Sequence, residues 1–305
     1  MKAGTVALVG RPNAGKSTLV NALVGEKVTI VSARPQTTRH RILGIRTEKR
    51  GQLALFDLPG VHRPLHRMNA QMMHAVRETI REVDVVVQIF AADQEPGNGE
   101  EFVVKLLAGI SSPVILVANK LDLPQARAKL PERLAFYTFR REYAAVTPIS
   151  ALTGEGLPEL LHHLFALVPE GEPLFPPHLT TTQSERFFIA GLIREALLAR
   201  VEGELPFVSA VVVQHMEEEV RDPISLLKVW ADILVERESQ KAIVVGKGGR
   251  MIKAIGQQAR KSIERYLGVK AYLSLQVKAR RDWREKPHFL KELEPLEIFE
   301  DGSEL

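Results

Sequence analysis

The chain has 305 residues, 45% of them hydrophobic and 26% charged, with a formal net charge of +4. These values are ordinary for a soluble globular protein, and the length allows two domains with sizeable cores. The sequence contains no cysteine, which excludes disulfides and thiolate metal sites. Because no apolar run is long enough to cross a bilayer and the first predicted strand begins at residue 5, we expect a cytoplasmic protein without a signal peptide.

Short β-rich runs alternate with helical stretches from residue 5 to about residue 168. The predicted strands are Thr5–Val9, Arg41–Thr47, Leu53–Asp57, Val83–Ala91, Pro113–Asn119 and Val146–Ser150. The predicted helices are Lys16–Leu23, Met68–Glu82, Glu101–Ile110, Ala126–Arg141 and Leu157–Val168. This alternation predicts an α/β domain, a mostly parallel six-stranded sheet with flanking helices, whose ligands bind at the carboxyl ends of the strands.

A segment rich in proline and glycine separates this domain from a second pattern. The second pattern reads helix 184–202, strands 207–217 and 226–237, helices 239–245 and 250–267, and strand 270–278. The order αββααβ predicts a smaller α+β domain. We therefore divide the chain into a first domain (1–168), a linker (169–183), a second domain (184–286) and an acidic C-terminal tail (287–305).

Residues 10–17 read Gly-Arg-Pro-Asn-Ala-Gly-Lys-Ser, which is the phosphate-binding loop pattern between a strand and a helix. The glycines allow backbone N–H groups to wrap around phosphates, Lys16 adds positive charge at the β- and γ-phosphates, and the Ser17 hydroxyl can ligate Mg²⁺. The motif predicts a nucleoside triphosphate site. Its predicted contacts are Gly10, Arg11, Pro12, Asn13, Ala14, Gly15, Lys16, Ser17 and Thr18.

A second phosphate-side motif, residues 57–60, closes a predicted strand with the sequence Asp-Leu-Pro-Gly. The carboxylate of Asp57 can hold Mg²⁺, and the Gly60 N–H can reach a γ-phosphate, with Leu58 and Pro59 between them. Residues 35–39 (Pro-Gln-Thr-Thr-Arg) lie where a loop that senses the γ-phosphate belongs. One threonine of this loop would ligate Mg²⁺ in the triphosphate state, and we favour Thr38 over Thr37.

The choice of base is predicted from residues 119–122, Asn-Lys-Leu-Asp, which follow a buried strand. A buried carboxylate at Asp122 can accept two N–H bonds from guanine that adenine cannot supply, which favours GTP over ATP. Asn119 would brace the loop, and the stem of Lys120 would lie over the ring. A backbone N–H from the segment Ser150, Ala151 and Leu152 would bind the guanine O6.

Together these motifs closely resemble the Era family, a branch of the translation-factor-like GTPases. The resemblance implies a Mg²⁺-dependent GTPase in which Lys16, Thr38 and Gly60 act on the transferred phosphate. Val61 stands where many GTPases carry a glutamine that orients the attacking water, so we expect slow intrinsic hydrolysis. Asn13 matches an asparagine that relatives such as TrmE use to hold a potassium ion, and we expect K⁺ to neutralise part of the charge.

The second domain carries Gly-Lys-Gly-Gly at residues 246–249, between two predicted helices. In the order αββααβ, this loop resembles that of a type II KH module, which clamps the backbone of single-stranded RNA. The predicted RNA contacts are Gly246, Lys247, Gly248, Gly249, Arg250 and Lys253. The apolar residues Ile243, Val245, Ile252 and Ile255 either line a groove for bases or fill the core, and for the last three core packing is at least as favoured.

A KH domain after such a GTPase domain is the arrangement of the Era family. The resemblance implies a ribosome-assembly GTPase that binds the 3′ end of small-subunit ribosomal RNA, acts on the 30S subunit, and associates weakly with the inner face of the membrane. The segment 247–286 carries twelve Lys or Arg against three acidic residues, which suits a polyanion. Its flank of Arg280, Arg281, Arg284 and Lys286 suits a ribosomal surface as well as a membrane. We expect a monomer.

The tail and the functional class leave alternatives open. The acidic tail is either a solubilising end, which we favour, or a mask over the basic groove. A second interpretation makes the chain primarily an RNA-binding module with GTP as a structural ligand, and Val61 keeps this interpretation open. Only a switch predicts that the GTP and GDP forms bind RNA differently. A membrane-signalling GTPase is less favoured, because the sequence has no lipidation motif.

Overall fold

The structure, a computed structural model, describes residues 1–61, 66–221 and 224–293. Its internal contacts divide into two compact units. Among the described residues, the first unit holds 1–29, 38–61 and 69–182, and the second holds 30–37, 66–68 and the chain from 183 onward. Two short pieces of chain from within the predicted first domain, residues 30–37 and 66–68, therefore belong, by their contacts, to the second unit.

The first unit is built on a six-stranded sheet with the strand order β2-β3-β1-β4-β5-β6. Only β2, at one edge, runs antiparallel to its neighbour; the other pairings are parallel. The predicted mostly parallel sheet is confirmed. The strands are β1 Lys2–Val9, β2 Ile42–Glu48, β3 Gly51–Asp57, β4 Val85–Ala91, β5 Val114–Asn119 and β6 Ala145–Pro148.

Helices cover both faces of this sheet, because alternate residues of the central strand point to opposite sides. Val6 and Leu8 of β1 belong to one apolar cluster, while Ala7 and Val9 belong to another. The helices are α1 Lys16–Val24, α2 Arg67–Glu82, α3 Asn98–Leu106, α4 Pro124–Thr138 and α5 Leu157–Leu167. The two-sided core leaves the loops at the carboxyl ends of the strands as the place for ligands.

The predicted linker has no helix or strand of its own, but it is fastened to the first unit. Single bridges pair Lys2 with Glu170 and Gly44 with Thr181. The Thr180 carbonyl accepts a hydrogen bond from the Ile45 N–H at 2.7 Å. Because Ile45 lies in β2, the segment covers the open edge of the sheet, which would otherwise present unpaired backbone groups.

The second unit is a three-stranded sheet with helices, in the order β7-β8-β9. Strands β7 and β8 are antiparallel, whereas β8 and β9 are parallel. Its apolar core joins residues of the helices to every second residue of β8, such as Val229 and Ile233. The elements are α6 Glu185–Leu198, α7 Leu205–Val208, β7 Ala210–Arg221, β8 Ile224–Val235, α8 Glu238–Val245, α9 Arg250–Leu267, β9 Lys270–Ala279 and α10 Pro287–Glu292.

Several boundaries of the second domain differ from the predictions by two to four residues, and α6, predicted to end at residue 202, ends at Leu198. The strand predicted from residue 207 begins at Ala210, because Leu205–Val208 forms a helical turn with proline at its start. The predicted tail begins with the short helix α10, in which Leu290 is only 4% exposed. Acidic residues from 294 onward lie outside the described residues, so both interpretations of the tail stay open. In the described part of the chain, no helix is both long and apolar enough to span a membrane.

Candidate functional site

The phosphate loop connects the end of β1 to the start of α1. Gly15 has φ +98°, and a Cβ at this position would come within 2.1 Å of the Asn119 side-chain nitrogen. That nitrogen donates a hydrogen bond to the Ala14 carbonyl at 2.9 Å. Glycine is therefore required at position 15 both for the backbone conformation and for the close approach of Asn119.

Lys16 lies beneath this loop and is only 6% exposed. Its Nζ donates hydrogen bonds to the carbonyl oxygens of Gly10 at 3.1 Å and of Arg11 at 3.0 Å. Burial lowers the pKa of Lys16 to about 8, although the charge of Asp57 opposes this shift. A buried ammonium with only carbonyl partners is poorly compensated, so an anion in the loop would favour its charged form.

Asp57, at the end of β3, is fully buried at the centre of a hydroxyl cluster. Its Oδ2 accepts hydrogen bonds from Ser17 at 2.6 Å, Thr29 at 3.0 Å and Thr38 at 3.1 Å. Burial raises the pKa of Asp57, while Lys16 and the three hydroxyls lower it. The hydroxyl oxygens of Ser17 and Thr38 are 2.8 Å apart.

The cluster fits a magnesium ion on the donors that it offers. Within the described residues, Asp57 Oδ1 is buried and has no hydrogen-bond partner. An orphaned carboxylate oxygen beside two hydroxyl oxygens is a hard, oxygen-only ligand set, which Mg²⁺ prefers. Thr38 lies in the cluster, whereas the Thr37 hydroxyl donates to the Arg34 carbonyl at 2.7 Å. This placement favours Thr38 over Thr37 as the metal ligand.

Thr29 is a member of the cluster that the sequence analysis missed. Its position depends on Asn21 of α1, whose Oδ1 accepts the N–H groups of Val28 and Thr29 at 2.9 Å and 3.0 Å. The Asn21 Nδ2 donates to the Thr29 carbonyl at 2.8 Å. No motif marks Thr29, because its place is set by a side chain eight residues earlier rather than by a local pattern.

The residue after the second phosphate-side motif points into the core. Val61 is 2% exposed and packs in the cluster that contains Val9 and Leu58. Its N–H donates to the Gly10 carbonyl at 3.0 Å, which ties residues 57–61 to the phosphate loop. Position 61 therefore contributes backbone to the site, and its apolar side chain has no group that could orient water.

Asn119, at the end of β5, connects three loops of the first unit. Its Nδ2 binds the Ala14 carbonyl, and its Oδ1 accepts the Ala151 N–H at 2.9 Å. The predicted phosphate loop and the predicted base loop are thus joined through one amide side chain. Lys120 follows with φ +73°, and its Nζ lies 3.2 Å from Asp93 Oδ1.

Asp122 differs from the prediction, since its side chain is exposed rather than buried. The Ser150 hydroxyl donates a hydrogen bond to Asp122 Oδ1 at 2.7 Å. Leu152 is 77% exposed in the neighbouring loop. The carboxylate is thus oriented by Ser150 while the side chain stays accessible to hydrogen-bond donors from a ligand.

The side chain of Arg11, in the phosphate loop, binds an acidic residue of α3. Its guanidinium forms an ion pair with Glu100 of α3, in which one terminal nitrogen lies 3.0 Å from Oε1 and 2.9 Å from Oε2. Glu100 Oε2 also accepts the Gly97 N–H at 3.1 Å. This ion pair ties the phosphate loop to the start of α3.

The glycine loop of the second unit connects α8 to α9 and is open to solvent. Gly246 ends α8 with φ +73°, and a Cβ there would come within 2.7 Å of the Met251 Cβ. Lys247, Gly248 and Arg250 are exposed. The Arg250 Nε donates to the Lys247 carbonyl at 3.2 Å, which holds this guanidinium at the start of α9.

A groove of about 360 Å³ lies beside this loop, between α9 and β9. Its lining residues are Ile252, Lys253, Gly256, Gln257, Arg260, Tyr272, Leu273 and Leu275. Ile255 is fully buried in the core and Ile243 is 55% exposed, whereas Ile252 lines the groove. The sequence analysis did not predict Gln257, Arg260 or Tyr272 as groove residues. Gln257 and Arg260 share one face of α9 with Lys253, so their helical spacing could have indicated them.

The two units therefore define a class of protein, a P-loop GTPase joined to a KH domain. Residues 5–120 match the family described as "50S ribosome-binding GTPase", and residues 205–284 match the family described as "KH domain". GTPase Era of Geobacter metallireducens is 42% identical over 96% of this chain and 97% of its own length. GTPase Era of Heliobacterium modesticaldum is 40% identical over 95% and 96%.

The chain belongs to the Era family of GTPases, which are GTP-hydrolysing enzymes. Solved structures agree with this membership. Era in complex with MgGDPNP and nucleotides 1506–1542 of 16S ribosomal RNA has a TM-score of 0.89, with 34% identity over 96% of this chain and 98% of that one. A Tyr-to-Ala variant of Aquifex aeolicus Era bound to GDP and AlF4⁻ has a TM-score of 0.88, with 34% identity over 96% and 99%.

Proposed function

We propose that the chain is a GTP-driven switch that binds the 3′ end of 16S ribosomal RNA through its KH domain and acts in assembly of the 30S subunit. The observation that carries this proposal is the Era complex with MgGDPNP and 16S nucleotides, which resembles this chain over 96% of its length. Both ligand regions of such a complex have candidate counterparts here, a phosphate loop with its hydroxyl cluster and an exposed glycine loop with its groove.

At the phosphate side, each residue has a proposed role. Mg²⁺, when bound, would neutralise charge on the β- and γ-phosphates, and Ser17, Thr38 and Asp57 would hold it. Lys16 and the loop N–H groups would stabilise the developing charge, and the Gly60 N–H would contact the γ-phosphate. The proposed nucleotide contacts are Gly10 to Thr18, Asp57, Leu58, Pro59, Gly60, Asn119, Lys120, Asp122, Ser150, Ala151 and Leu152.

Slow hydrolysis and a role for K⁺ belong to the same proposal. With valine at position 61, no side chain there orients the attacking water, so positioning and charge neutralisation must supply most of the rate. Asn13, with φ +64° in the phosphate loop, is the candidate K⁺ ligand. Turnover should be faster in KCl than in NaCl at equal ionic strength, and Asn13→Asp should change that ratio. Equal turnover in the two salts would remove K⁺ from the proposal.

The KH domain is proposed to hold single-stranded RNA between its loop and its groove. Gly246 to Gly249, with Arg250 and Lys253, would contact the backbone, while Ile252 and Tyr272 offer apolar and aromatic surface to bases. The proposed limits are 1–168 for the GTPase domain and 184–286 for the KH domain. We also propose a cytoplasmic monomer, with the basic flank 280–286 as the segment for any weak membrane contact.

The test compares RNA binding in two nucleotide states. Labelled RNA ending in the 3′ sequence of 16S ribosomal RNA is titrated with protein loaded with Mg²⁺ and GDPNP, or with GDP. Tighter binding with GDPNP would support a switch in which hydrolysis releases the RNA. Equally tight binding in both states would support the RNA site. It would contradict the proposal that the nucleotide controls binding to RNA in the absence of the ribosome. Absence of binding in both states would contradict the proposed RNA site.

A further inference from the structure

The segment that leads to Thr38 is held along the first helix of the second unit. Residues 30–37 belong to that unit by their contacts. The Val31 N–H donates to the Glu195 side chain of α6 at 2.9 Å. One turn earlier, a Cβ on Gly191 would come within 3.1 Å of the Ile30 side chain, so the helix leaves room for the loop at this point.

Arg194, on the same face of α6, is the buried anchor of this segment. It is only 8% exposed, and its two terminal nitrogens donate hydrogen bonds to the carbonyl oxygens of Gln36, at 2.7 Å, and of Thr37. Its Nε is buried and has no hydrogen-bond partner within the described residues. Gln36 adopts φ +57°, an uncommon conformation for a residue with a side chain.

Burying the Arg194 guanidinium to hold this loop costs desolvation free energy. Burial lowers the pKa of Arg194 to about 10, since the interior disfavours its charged form. Hydrogen bonds to two backbone carbonyls offset part of this cost, and neither of the two described acceptors is a carboxylate. Truncating a buried charged donor that organises backbone carbonyls has large effects, because those carbonyls lose their partner.

We infer that Arg194 is a positioning residue for the metal ligand Thr38, an inference that rests on the proposed function. The Thr37 carbonyl and the Thr38 N–H share one planar peptide group. Fixing the Thr37 oxygen therefore fixes the plane from which the Thr38 side chain departs. Thr38 donates to Asp57 and lies 2.8 Å from Ser17, so the clamped geometry is the one that gathers the proposed ligands.

The test replaces Arg194 in the full-length protein and compares two nucleotides. Arg194→Met removes the donors at similar length, and Arg194→Lys keeps the charge but cannot span two carbonyls. The matched control is Arg186→Gln, because Arg186 lies on the same helix, is exposed, and donates to one carbonyl, that of Gln214. Affinities for Mg²⁺-GDPNP and for GDP, GTP turnover and thermal unfolding are measured for each variant.

We expect Arg194→Met to weaken Mg²⁺-GDPNP binding and to slow turnover by about 10-fold, with little change for GDP, because only the triphosphate state uses Thr38. Arg194→Lys should recover little, and Arg186→Gln should behave as the parent. Unchanged GDPNP affinity and turnover in both Arg194 variants would overturn the inference. Equal losses for GDP and GDPNP would also overturn it, since they would indicate general damage.

Thr38→Ala separates this inference from the proposed function. If Arg194 acts through Thr38, the double variant Thr38→Ala/Arg194→Met should be no worse than Thr38→Ala alone. Additive losses would overturn the positioning role. If Thr38→Ala itself leaves GDPNP binding and turnover unchanged, the proposed metal site fails, and the inference fails with it. An effect of Thr38→Ala without any effect of Arg194→Met would overturn the inference alone.

Discussion

The two glycine loops of this chain solve the problem of anion binding in opposite ways. The phosphate loop of the first unit encloses its cation, since Lys16 is 6% exposed and bound to loop carbonyls. The loop of the second unit presents its cations to solvent, since Lys247 and Arg250 are exposed. An enclosed cation suits a small ligand that fills the loop completely, while exposed cations suit one phosphate after another along a chain.

The difference lies in what surrounds the glycines rather than in the glycines themselves. At Gly15 the neighbouring Asn119 occupies the space of a side chain, and at Gly246 the start of α9 does so. Beyond these contacts, the first loop is connected to two further loops through Asn119, whereas the second has open space around Gly248. The first loop is preorganised by its neighbours, and the second remains accessible to a long ligand.

The largest expected effect breaks the enclosed site alone. Lys16→Ala removes the buried charge and should weaken GTP and GDP binding by about 1000-fold, because the nucleotide phosphates would face loop carbonyls without a cation. Calorimetry with both nucleotides measures the loss. RNA binding without added nucleotide should be unchanged in the same variant. Retained nucleotide affinity would contradict the assignment of Lys16.

A change in the open loop should have the reverse selectivity. Lys247→Asp with Gly248→Asp places two negative charges where the RNA backbone is proposed to lie, and should weaken RNA binding by about 100-fold. Lys261→Asp, an exposed charge reversal on α9 outside the residues that line the groove, is the matched control and should cost far less. Nucleotide affinity should be unchanged in both variants. An equal loss of RNA affinity in the control would mean that the loop attracts RNA only through its general positive charge, which would contradict a specific backbone contact.

Salt should distinguish the two sites without any mutation. If RNA contacts about three exposed cations, its affinity should fall by about 20-fold between 50 and 200 mM KCl through release of counterions. GDP binding at the enclosed loop should change by less than about 3-fold over the same range, because buried charges are little screened. Fluorescence titrations at four salt concentrations give both slopes. Parallel slopes would remove the contrast between the loops.

The smallest expected effect concerns protons at Lys16. The pKa of Lys16 is lowered to about 8 in the free protein, and bound phosphates would raise it again. Above pH 8 the complex therefore holds more protons than the free protein, so nucleotide affinity should fall as pH rises, by about 5-fold between pH 8 and 9. Calorimetry at pH 8.5 in two buffers of different ionisation enthalpy should show proton uptake. Proton release would contradict this sign.

The parts of the site that sequence could predict are those formed by contiguous residues. The phosphate loop, Asp57 and Asn119 each follow a recognisable strand, and the structure brings them together at the carboxyl edge of the sheet. Thr29 and Arg194 could not be found in this way. Each depends on a contact with a residue distant in sequence, and neither stands in a motif.

Two errors have local physical causes. The apolar run from Leu205 to Val208 has strand composition, but Pro206 fixes a helical φ and the turn is buried beneath β8. The sequence predicts a buried Asp122, because a carboxylate shielded from water discriminates most strongly between guanine and adenine. In the structure its side chain is exposed. The order of predicted strands and helices was enough to predict the fold class, while the surroundings of single residues required the structure.

The positions of the two tryptophans give this protein an internal optical signal. Trp283 is fully buried, and its Nε1 donates to the Val208 carbonyl at 2.9 Å. Trp230 lies on β8 with its ring 5.2 Å from that of His215. The sequence has no other tryptophan, so indole emission comes from the second unit alone. A spectral change on adding GTP would therefore report, without any label, that the nucleotide is sensed by the KH domain.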